Sequence, residues 1–216
     1  MLLLRLPGVY APQEDTLLLL NTVLAEPLPP NARVCELGTG SGHIALELAA
    51  AGAGEVVAVD IARRAILGTR INAMLRRLPV QARRGDLLSG VAGLFDLIVA
   101  NPPYVPTCDG PPPAHSRARA WDAGRDGRAL LDRICRDAPG RLAPGGSVWL
   151  VHSALCDPGR TVALLSEQGL TAEVVKKDEI PFGPVMRSRE AWLRAEGLIG
   201  PGENTETLVV VRGTRA

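Results

Sequence analysis

Short apolar segments alternate with helical segments from Arg33 onward, and no other feature of the sequence limits the fold as strongly. Strand, helix and strand in succession place the two strands parallel, joined by a right-handed crossover. The sequence predicts strands at 33–37, 55–60, 80–85 and 95–100, with helices at about 42–51 and 62–76. The pattern therefore predicts an α/β fold with a doubly wound, mostly parallel sheet.

The alternation continues to the end of the chain and brings the predicted number of strands to seven. Residues 1–30 form a helical lead-in that ends at a group of prolines, and the charged segment 178–205 is predicted as an insertion. The chain has 216 residues, 46% of them hydrophobic, which predicts a single domain over 1–216. The later predicted elements are helices near 127–138, 158–168 and 188–196, with strands at 146–152, 170–177 and 207–212.

Composition limits the class of function. A formal net charge of +1 disfavours a long nucleic-acid footprint, because such proteins gain affinity from many basic groups on phosphates. The four cysteines are far apart and form no C-x-x-C pair, so we predict free thiols, no metal site and a reducing, cytoplasmic compartment. The apolar N-terminus is too short for a signal peptide, and no membrane span is predicted.

The strand 95–100 runs into Asn101-Pro102-Pro103-Tyr104. The two prolines end strand pairing and stiffen the turn, which fixes Asn101 and predicts an exposed ring for Tyr104. Ligands of open α/β sheets bind at the carboxyl ends of the strands. There the Asn101 side-chain oxygen and a proline carbonyl can accept both hydrogens of a planar NH2 group, so this loop is predicted to hold an amide or an exocyclic amine.

The first strand ends in a glycine-rich turn, Glu36-Leu37-Gly38-Thr39-Gly40-Ser41-Gly42. Glycines let the backbone approach a ligand closely at a helix start, where free N–H groups favour a carboxylate or phosphate. Glu36 is badly placed for a pyrophosphate but well placed to accept from an ammonium group. The turn therefore predicts a ligand in which an amino acid is joined to a nucleoside.

Acidic residues also end the next two strands. Asp60 lies about twenty residues beyond the glycines, where a carboxylate can take both hydroxyls of a ribose. Asp86 is predicted to accept from an adenine amino group, while Leu87 and Ile61 cover the ring. Separately these are weak signals, because an acidic residue at a strand end is often a turn or cap residue.

Together the motifs resemble those of the class I S-adenosylmethionine-dependent methyltransferases, and in particular the HemK-type N5-glutamine methyltransferases of class 1 release factors. The resemblance implies a Rossmann-like, seven-stranded sheet whose last strand is antiparallel, with S-adenosylmethionine as cofactor. It is closest to a short form of the family in which Tyr-x-Pro-x-Glu-Asp-Thr precedes the cofactor motif. The matching stretches are Val9-Tyr10, Glu14 to Thr16, Glu36 to Gly42, Asp60, Asp86, Asn101 to Tyr104, Trp121 and Gly124 to Arg128.

The resemblance assigns roles to residues. Asn101, Pro102 and Tyr104 are the implied catalytic residues, and the target glutamine would bind along Asn101, Pro102, Pro103, Tyr104 and Val105. A small zinc-binding protein often covers an exposed strand in the short form, so a small partner or a second copy of the chain is expected. The residues implied to bind the cofactor are Thr16, Glu36, Gly38, Gly40, Asp60, Ile61, Asp86, Leu87 and Asn101.

Two other acceptors remain open. An N6-adenine methyltransferase for DNA or RNA uses the same kind of loop, with Tyr104 stacking on the base. The insertion 178–205, which the short form lacks, keeps a small-metabolite acceptor open.

The loop 105–125 is predicted to face the substrate, and both this loop and the insertion are predicted to be more mobile than the sheet. His152, at the end of an apolar strand, is predicted to be structural. The candidates for guiding a substrate are Arg117, Arg119, Arg125 and Arg128.

Overall fold

The computed structural model describes residues 3–109 and 117–216, and within them the predicted alternation of strands and helices is present. The helices are α1 (Glu14–Leu24), α2 (His43–Ala50), α3 (Arg63–Arg76), α4 (Leu131–Asp137), α5 (Pro158–Glu167) and α6 (Pro184–Ala195). The strands are β1 (Arg33–Leu37), β2 (Glu55–Asp60), β3 (Val80–Arg84), β4 (Phe95–Ala100), β5 (Leu142–Ser153), β6 (Leu170–Pro181) and β7 (Thr205–Arg215).

The strands form one seven-stranded sheet in the order β3-β2-β1-β4-β5-β7-β6. Neighbouring strands from β3 to β5 pair in parallel, whereas β7 lies antiparallel to both β5 and β6. The predicted α/β fold, with a doubly wound, mostly parallel sheet and an antiparallel last strand, is confirmed.

Strand β4 shows why the sheet is buried on both faces. Its residues alternate, so that Leu97 and Val99 pack in a core shared with α1, α2 and α6. Ile98 and Ala100 pack in the opposite core with α4 and α5. The apolar run before Asn101 is therefore anchored from both sides, and it holds the loop that follows in a fixed place.

The predicted boundaries of the insertion differ from those in the structure. Strand β6 continues to Pro181 and pairs with β7 from its first residue, Thr205, so only 182–204 lies outside the strands. The charged residues of this edge strand stay exposed while its backbone pairs with β7, which is why charge did not end the strand. Helix α6 begins at Pro184, earlier than the predicted 188, because proline suits the first turn of a helix.

Helix α4 begins at Leu131, later than the predicted 127. Gly124 and Gly127 have positive φ angles, and Asp126 accepts from the Arg128 backbone N–H, so this stretch turns instead of coiling. Within the described residues, no helix is long and apolar enough to span a membrane.

Candidate active site

The glycine-rich turn joins β1 to α2 in a tightly held conformation. Gly38, Gly40 and Gly42 have φ angles of 71°, 54° and 84°, which favour glycine. A Cβ atom on Gly42 would lie 2.7 Å from Thr69 Cγ2, so this position has no room for a side chain. The Gly38 N–H donates to the Val59 carbonyl at 2.8 Å, which fixes the turn against β2.

Glu36 lies buried beneath this turn. Its Oε2 accepts from the Thr39 hydroxyl and, at 2.9 Å, from the Ala45 backbone N–H. Within the described residues no group donates to Oε1. Burial raises the pKa of Glu36 to about 8, against the lowering effect of its two donors. Near neutral pH this raised pKa favours the protonated carboxyl group, and a neighbouring cation would favour the ionised form.

Asp60 connects the end of β2 to the glycine-rich turn. Its Oδ2 accepts from the Gly40 N–H at 2.9 Å and its Oδ1 from the Ala62 N–H at 2.7 Å. Burial raises the pKa of Asp60, and these backbone bonds oppose the rise. Ile61 follows it with nearly half of its surface exposed.

The next acidic strand end lies nearer to solvent. Asp86 is half-exposed and accepts from Arg133 of α4 at 2.9 Å, while Leu87 is buried at a φ angle of 51°. The structure thus brings the predicted strand-end residues to one edge of the sheet, but with Asp86 already bound to an arginine that the sequence did not indicate.

A first cleft opens between this turn and the N-terminal segment. The His43 ring lies on it with its Nδ1 buried and without a partner in the described part of the chain, and burial lowers the pKa of this histidine. The residues lining this first cleft are Tyr10, Pro12, Thr16, Glu36, Gly38, Thr39, Gly40, Ser41, His43, Ile44 and Asn101.

Asn101 leaves β4 with its amide already oriented. The Asn101 Nδ2 donates to Thr16 Oγ1 at 3.1 Å, across 85 positions of sequence. Within 3–109 and 117–216, no group donates to the Asn101 Oδ1 or to the Pro102 carbonyl. Both acceptors that the sequence predicts for a planar NH2 group are therefore available.

Tyr104 differs from the prediction. Its ring is only 9% exposed, so the predicted exposed ring is wrong. The prolines fix its backbone as expected, but its hydroxyl is drawn inward to donate to Asp15 Oδ2 at 3.1 Å. Tyr10 donates to the same oxygen at 2.9 Å. Burial and the neighbouring Asp15 raise the pKa of both tyrosines above the ordinary value, so both keep their protons.

A second cleft lies on the other side of Asn101. It shares Tyr10 and Asn101 with the first cleft, so these two side chains stand where the clefts meet. Pro102, Pro103 and Val105 lie here as predicted. The full lining is Tyr10, Asp15, Asn101, Pro102, Pro103, Tyr104, Val105, Ala120 and Trp121.

The Asn101 to Tyr104 loop is supported from behind. The Cys156 thiol donates to the Tyr104 carbonyl at 3.0 Å, and a Cβ atom on Gly127 would lie 2.2 Å from that carbonyl oxygen. Arg128 is 2% exposed and donates to the Asp157 carbonyl at 2.9 Å and to the Thr161 hydroxyl. The prediction that Arg128 guides a substrate is therefore wrong, because its guanidinium lies inside the protein.

Buried His152 lies in the same network, as predicted for a structural residue. Its Nε2 is 3.1 Å from the Thr161 hydroxyl, and burial lowers its pKa to about 4. Of the other candidate arginines, Arg125 pairs with Glu196 just beyond α6, and Arg119 is exposed.

Helix α6 contacts the loop that borders the second cleft. Arg189 pairs with Asp122 and donates to the Pro106 carbonyl at 2.9 Å, and the Val105 N–H donates to the Trp121 carbonyl at 2.7 Å. The insertion therefore flanks the loop. The greater mobility of both segments stays a prediction, testable by hydrogen exchange, and residues 110–116 lie outside the described residues.

Two carboxylates near Tyr104 were not predicted from the sequence. Asp15, 4% exposed, was part of a matching motif but received no role. Glu206, at the start of β7, is 8% exposed, and its Oε2 has no partner in the described part of the chain. Burial and the neighbouring Asp15 raise its pKa, and its charge raises the pKa of both tyrosines. No local pattern indicated Glu206, because its role depends on where β7 joins the sheet.

Comparison with known proteins now adds to this geometry. Residues 1–109 match the family of the methyltransferase small domain. A protein of Methanocaldococcus jannaschii, provisionally named protein N5-glutamine methyltransferase, is 35% identical over 83% of this chain and 90% of its own length. Human methyltransferase HEMK2 is 32% identical over 75% of this chain and 79% of its own length. The chain belongs to the HemK-type methyltransferase family.

Other relatives agree with this membership. The release factor glutamine methyltransferase of Deinococcus radiodurans is 36% identical over 85% of this HemK-type chain, which spans 65% of that relative's length. The solved Mtq2 of E. cuniculi, in a complex with Trm112 responsible for methylation of the eRF1 translation termination factor, aligns with a TM-score of 0.68 and 25% identity. That alignment covers 97% of this chain and 99% of Mtq2. The HemK-type chain is an S-adenosylmethionine-dependent methyltransferase.

Proposed function

We propose that this chain transfers a methyl group from S-adenosylmethionine to the side-chain amide nitrogen of a glutamine in a protein, and that the protein is a class 1 release factor. One observation carries the proposal: Asn101 stands where the two clefts meet, with its Nδ2 bound to Thr16 and no donor to its Oδ1 among the described residues. The names of the relatives support the choice of acceptor.

The first cleft fits the methionine part of S-adenosylmethionine, and the residues predicted for the ribose and adenine lie beyond its lining. Glu36 Oε1 would accept from the ammonium group, and the backbone at Gly38 and Gly40 leaves room for close approach. Asp60 would hold the ribose, since each of its oxygens keeps a further lone pair. The adenine would lie against Ile61 and Leu87, with Asp86 accepting from its amino group, and Thr16 and Asn101 would close the other end. When bound, the sulfonium supplies an electrophilic methyl group.

The second cleft fits an amide. The lone pair of an amide nitrogen is delocalised, so the site must orient the NH2 group and accept its hydrogens as positive charge develops on nitrogen. Asn101 Oδ1 and the Pro102 carbonyl are two fixed acceptors for this purpose. Holding nitrogen and methyl carbon about 3–3.5 Å apart and in line supplies the proximity effect. The methylated nitrogen then loses a proton to water without a strong base.

An adenine base of DNA or RNA is less well supported as the methyl acceptor than a glutamine. Stacking of a base on Tyr104 requires an accessible ring face, and this ring is 9% exposed with its hydroxyl held by Asp15. A glutamine side chain is narrower than a base and needs only the two acceptors. The border formed by α6 and the loop around Trp121 favours an acceptor that projects from a larger protein.

The remaining proposals concern organisation and partners. We propose that 1–216 is a single methyltransferase domain that acts in the cytoplasm, where release factors work, with its thiols free as in the described residues. Helix α3 exposes an apolar stripe of Leu67, Met74 and Leu75, each more than half exposed, next to the edge strand β3. A small partner protein, as in the Mtq2–Trm112 complex, or a second copy would cover it.

Labelled S-adenosylmethionine tests the function. A class 1 release factor, a mixture of DNA and RNA, and a metabolite extract are each incubated with the protein, with and without co-expressed candidate partners. We expect label in the release factor, and its loss when the glutamine of the Gly-Gly-Gln loop is replaced by asparagine, which keeps the amide but shortens its reach. Label in nucleic acid or metabolites instead would contradict the proposal.

A further inference from the structure

We propose that Asp15 sets the direction of a hydrogen-bond relay that determines which end of the Asn101 amide faces the methyl acceptor. Asp15 and Thr16 are then positioning residues for methyl transfer. The inference rests on the proposed function of Asn101 as an acceptor for the target NH2 group. Asp15 lines the second cleft, but both of its carboxylate oxygens are used within the protein, and its role is to decide whether Asn101 presents an oxygen or a nitrogen.

The relay begins at a carboxylate whose two oxygens are both used. Asp15 lies near the start of α1 and is 4% exposed. Its Oδ2 accepts from the Tyr10 and Tyr104 hydroxyls at 2.9 and 3.1 Å. Its Oδ1 accepts from the backbone N–H of Thr16 and, at 3.1 Å, from the Thr16 hydroxyl. All four partners donate to these two carboxylate oxygens.

The Thr16 hydroxyl in turn fixes the orientation of the Asn101 amide. It has one hydrogen, and that hydrogen goes to Asp15, so towards Asn101 the hydroxyl can only accept. Asn101 meets it with Nδ2, at 3.1 Å. Because the oxygen and nitrogen of an amide point in different directions, the Asn101 Oδ1 then points away from Thr16. A reversed Asn101 would place its oxygen against the Thr16 oxygen and present an NH2 group to the NH2 group of the target.

The tyrosines hold the first member of the relay in place. Both hydroxyls donate to Oδ2, so rotation of the Asp15 carboxylate would break both hydrogen bonds. Tyr104 arrives from the same loop as Asn101, 89 positions away in sequence from Asp15. The orientation of Asn101 is thus coupled to the seating of its own loop against α1.

Asp15→Asn tests the relay with almost no change in shape. The new amide can donate to the Thr16 hydroxyl, which can then donate to Asn101 Oδ1, so the amide of Asn101 is free to reverse. We expect kcat to fall about tenfold or more, with the affinity for S-adenosylmethionine unchanged. Thr16→Val should cause a similar loss in kcat, whereas Thr16→Ser, which keeps the hydroxyl, should retain a kcat near that of the wild-type protein. The double variant Asp15→Asn/Thr16→Val should be no slower than the slower single variant, because both break the same relay.

A second readout separates a reversed Asn101 amide from a general loss of activity. A release factor whose target glutamine is replaced by glutamate presents acceptors instead of donors, so wild-type protein should bind it poorly in the second cleft. In Asp15→Asn the preference for glutamine over glutamate should fall by about tenfold, since Asn101 can now present its NH2 group. Melting temperatures confirm that each variant is folded, and if Asp15→Asn does not fold, the Thr16→Val and Thr16→Ser pair decides.

Matched controls lie close by. Asp96→Asn makes the same change on β4, where the carboxylate also accepts from a backbone N–H, that of Arg33. Thr22→Val removes another hydroxyl from α1. Both should leave kcat and the glutamine preference unchanged. If wild-type protein methylates glutamine but the Asp15 and Thr16 variants match it in both readouts, the relay is wrong. If wild-type protein methylates no glutamine, the proposed function itself fails.

Discussion

Glu36 should release its proton when S-adenosylmethionine binds. Burial raises the pKa of this carboxyl group from 4.5 to about 8 in the free protein, so at pH 7 roughly ten molecules are protonated for each one ionised. The ammonium group of the ligand favours the ionised form, because opposite charges attract strongly in a buried site. Binding at pH 7 should therefore release about 0.9 proton per ligand.

Titration calorimetry in two buffers of different ionisation enthalpy, such as phosphate and Tris, counts this proton. The observed heat should differ between buffers at pH 7, and the proton release should decrease as the pH rises towards 8, where more of Glu36 is already ionised in the free protein. Glu36→Gln should bind more weakly and show no such difference. Equal heats in the two buffers at pH 7, or an unchanged difference in Glu36→Gln, would show that Glu36 does not release a proton on binding.

The same group predicts how the stability of the free protein depends on pH. Because the folded-state pKa lies above the unfolded one, the folded protein binds more protons between about pH 4.5 and 8. The contribution of Glu36 is complete below this window and is lost as pH rises through 8. The loss, relative to Glu36→Gln, is on the order of 5 kcal/mol. Chemical denaturation of both proteins at several pH values measures it.

Three further changes test other parts of the site. Asp60→Ala should weaken binding of S-adenosylmethionine by roughly 1.5–3 kcal/mol, and unchanged affinity in a folded variant would contradict the assignment. Asn101→Ala should leave that affinity intact and lower the rate of single-turnover methyl transfer on the order of 10²–10³-fold. Near-normal transfer per folded molecule, together with a lowered melting temperature, would show that Asn101 only shapes the turn. Gly127→Ala should destabilise the protein by on the order of 3 kcal/mol, because its Cβ atom would lie 2.2 Å from the Tyr104 carbonyl oxygen. Gly145→Ala, at a similar φ angle of 74° but with open space, should cost only about 1 kcal/mol in the same denaturation experiment.

The fold was predictable because its signals are local. Short apolar runs separated by helical segments identify parallel strands, and the residues at strand ends, such as Glu36 and Asp60, must then meet at one edge of the sheet. Boundaries were less predictable where pairing decides them. Strand β6 extends through charged residues to Pro181 because β7 continues to pair with it.

Details of the site that depend on distant contacts were not predictable. The burial of Tyr104 requires Asp15, 89 positions away, and two prolines fix the backbone without revealing that partner. Arg128 lies in a charged stretch where a buried and a solvated arginine have the same sequence context. The contact between Arg189 and Asp122 joins segments 67 positions apart, and it exists only once α6 has formed on the core.

Tandem mass spectrometry can show whether Asn101 presents the side-chain amide of a protein glutamine for methylation. A class 1 release factor is incubated with S-adenosylmethionine and either wild-type protein or Asn101→Ala, and then digested and sequenced by fragmentation. We expect one added methyl group, located on the side-chain nitrogen of the Gly-Gly-Gln glutamine and nearly absent with Asn101→Ala. A methyl group on another residue type, or equal methylation by both proteins, would contradict it.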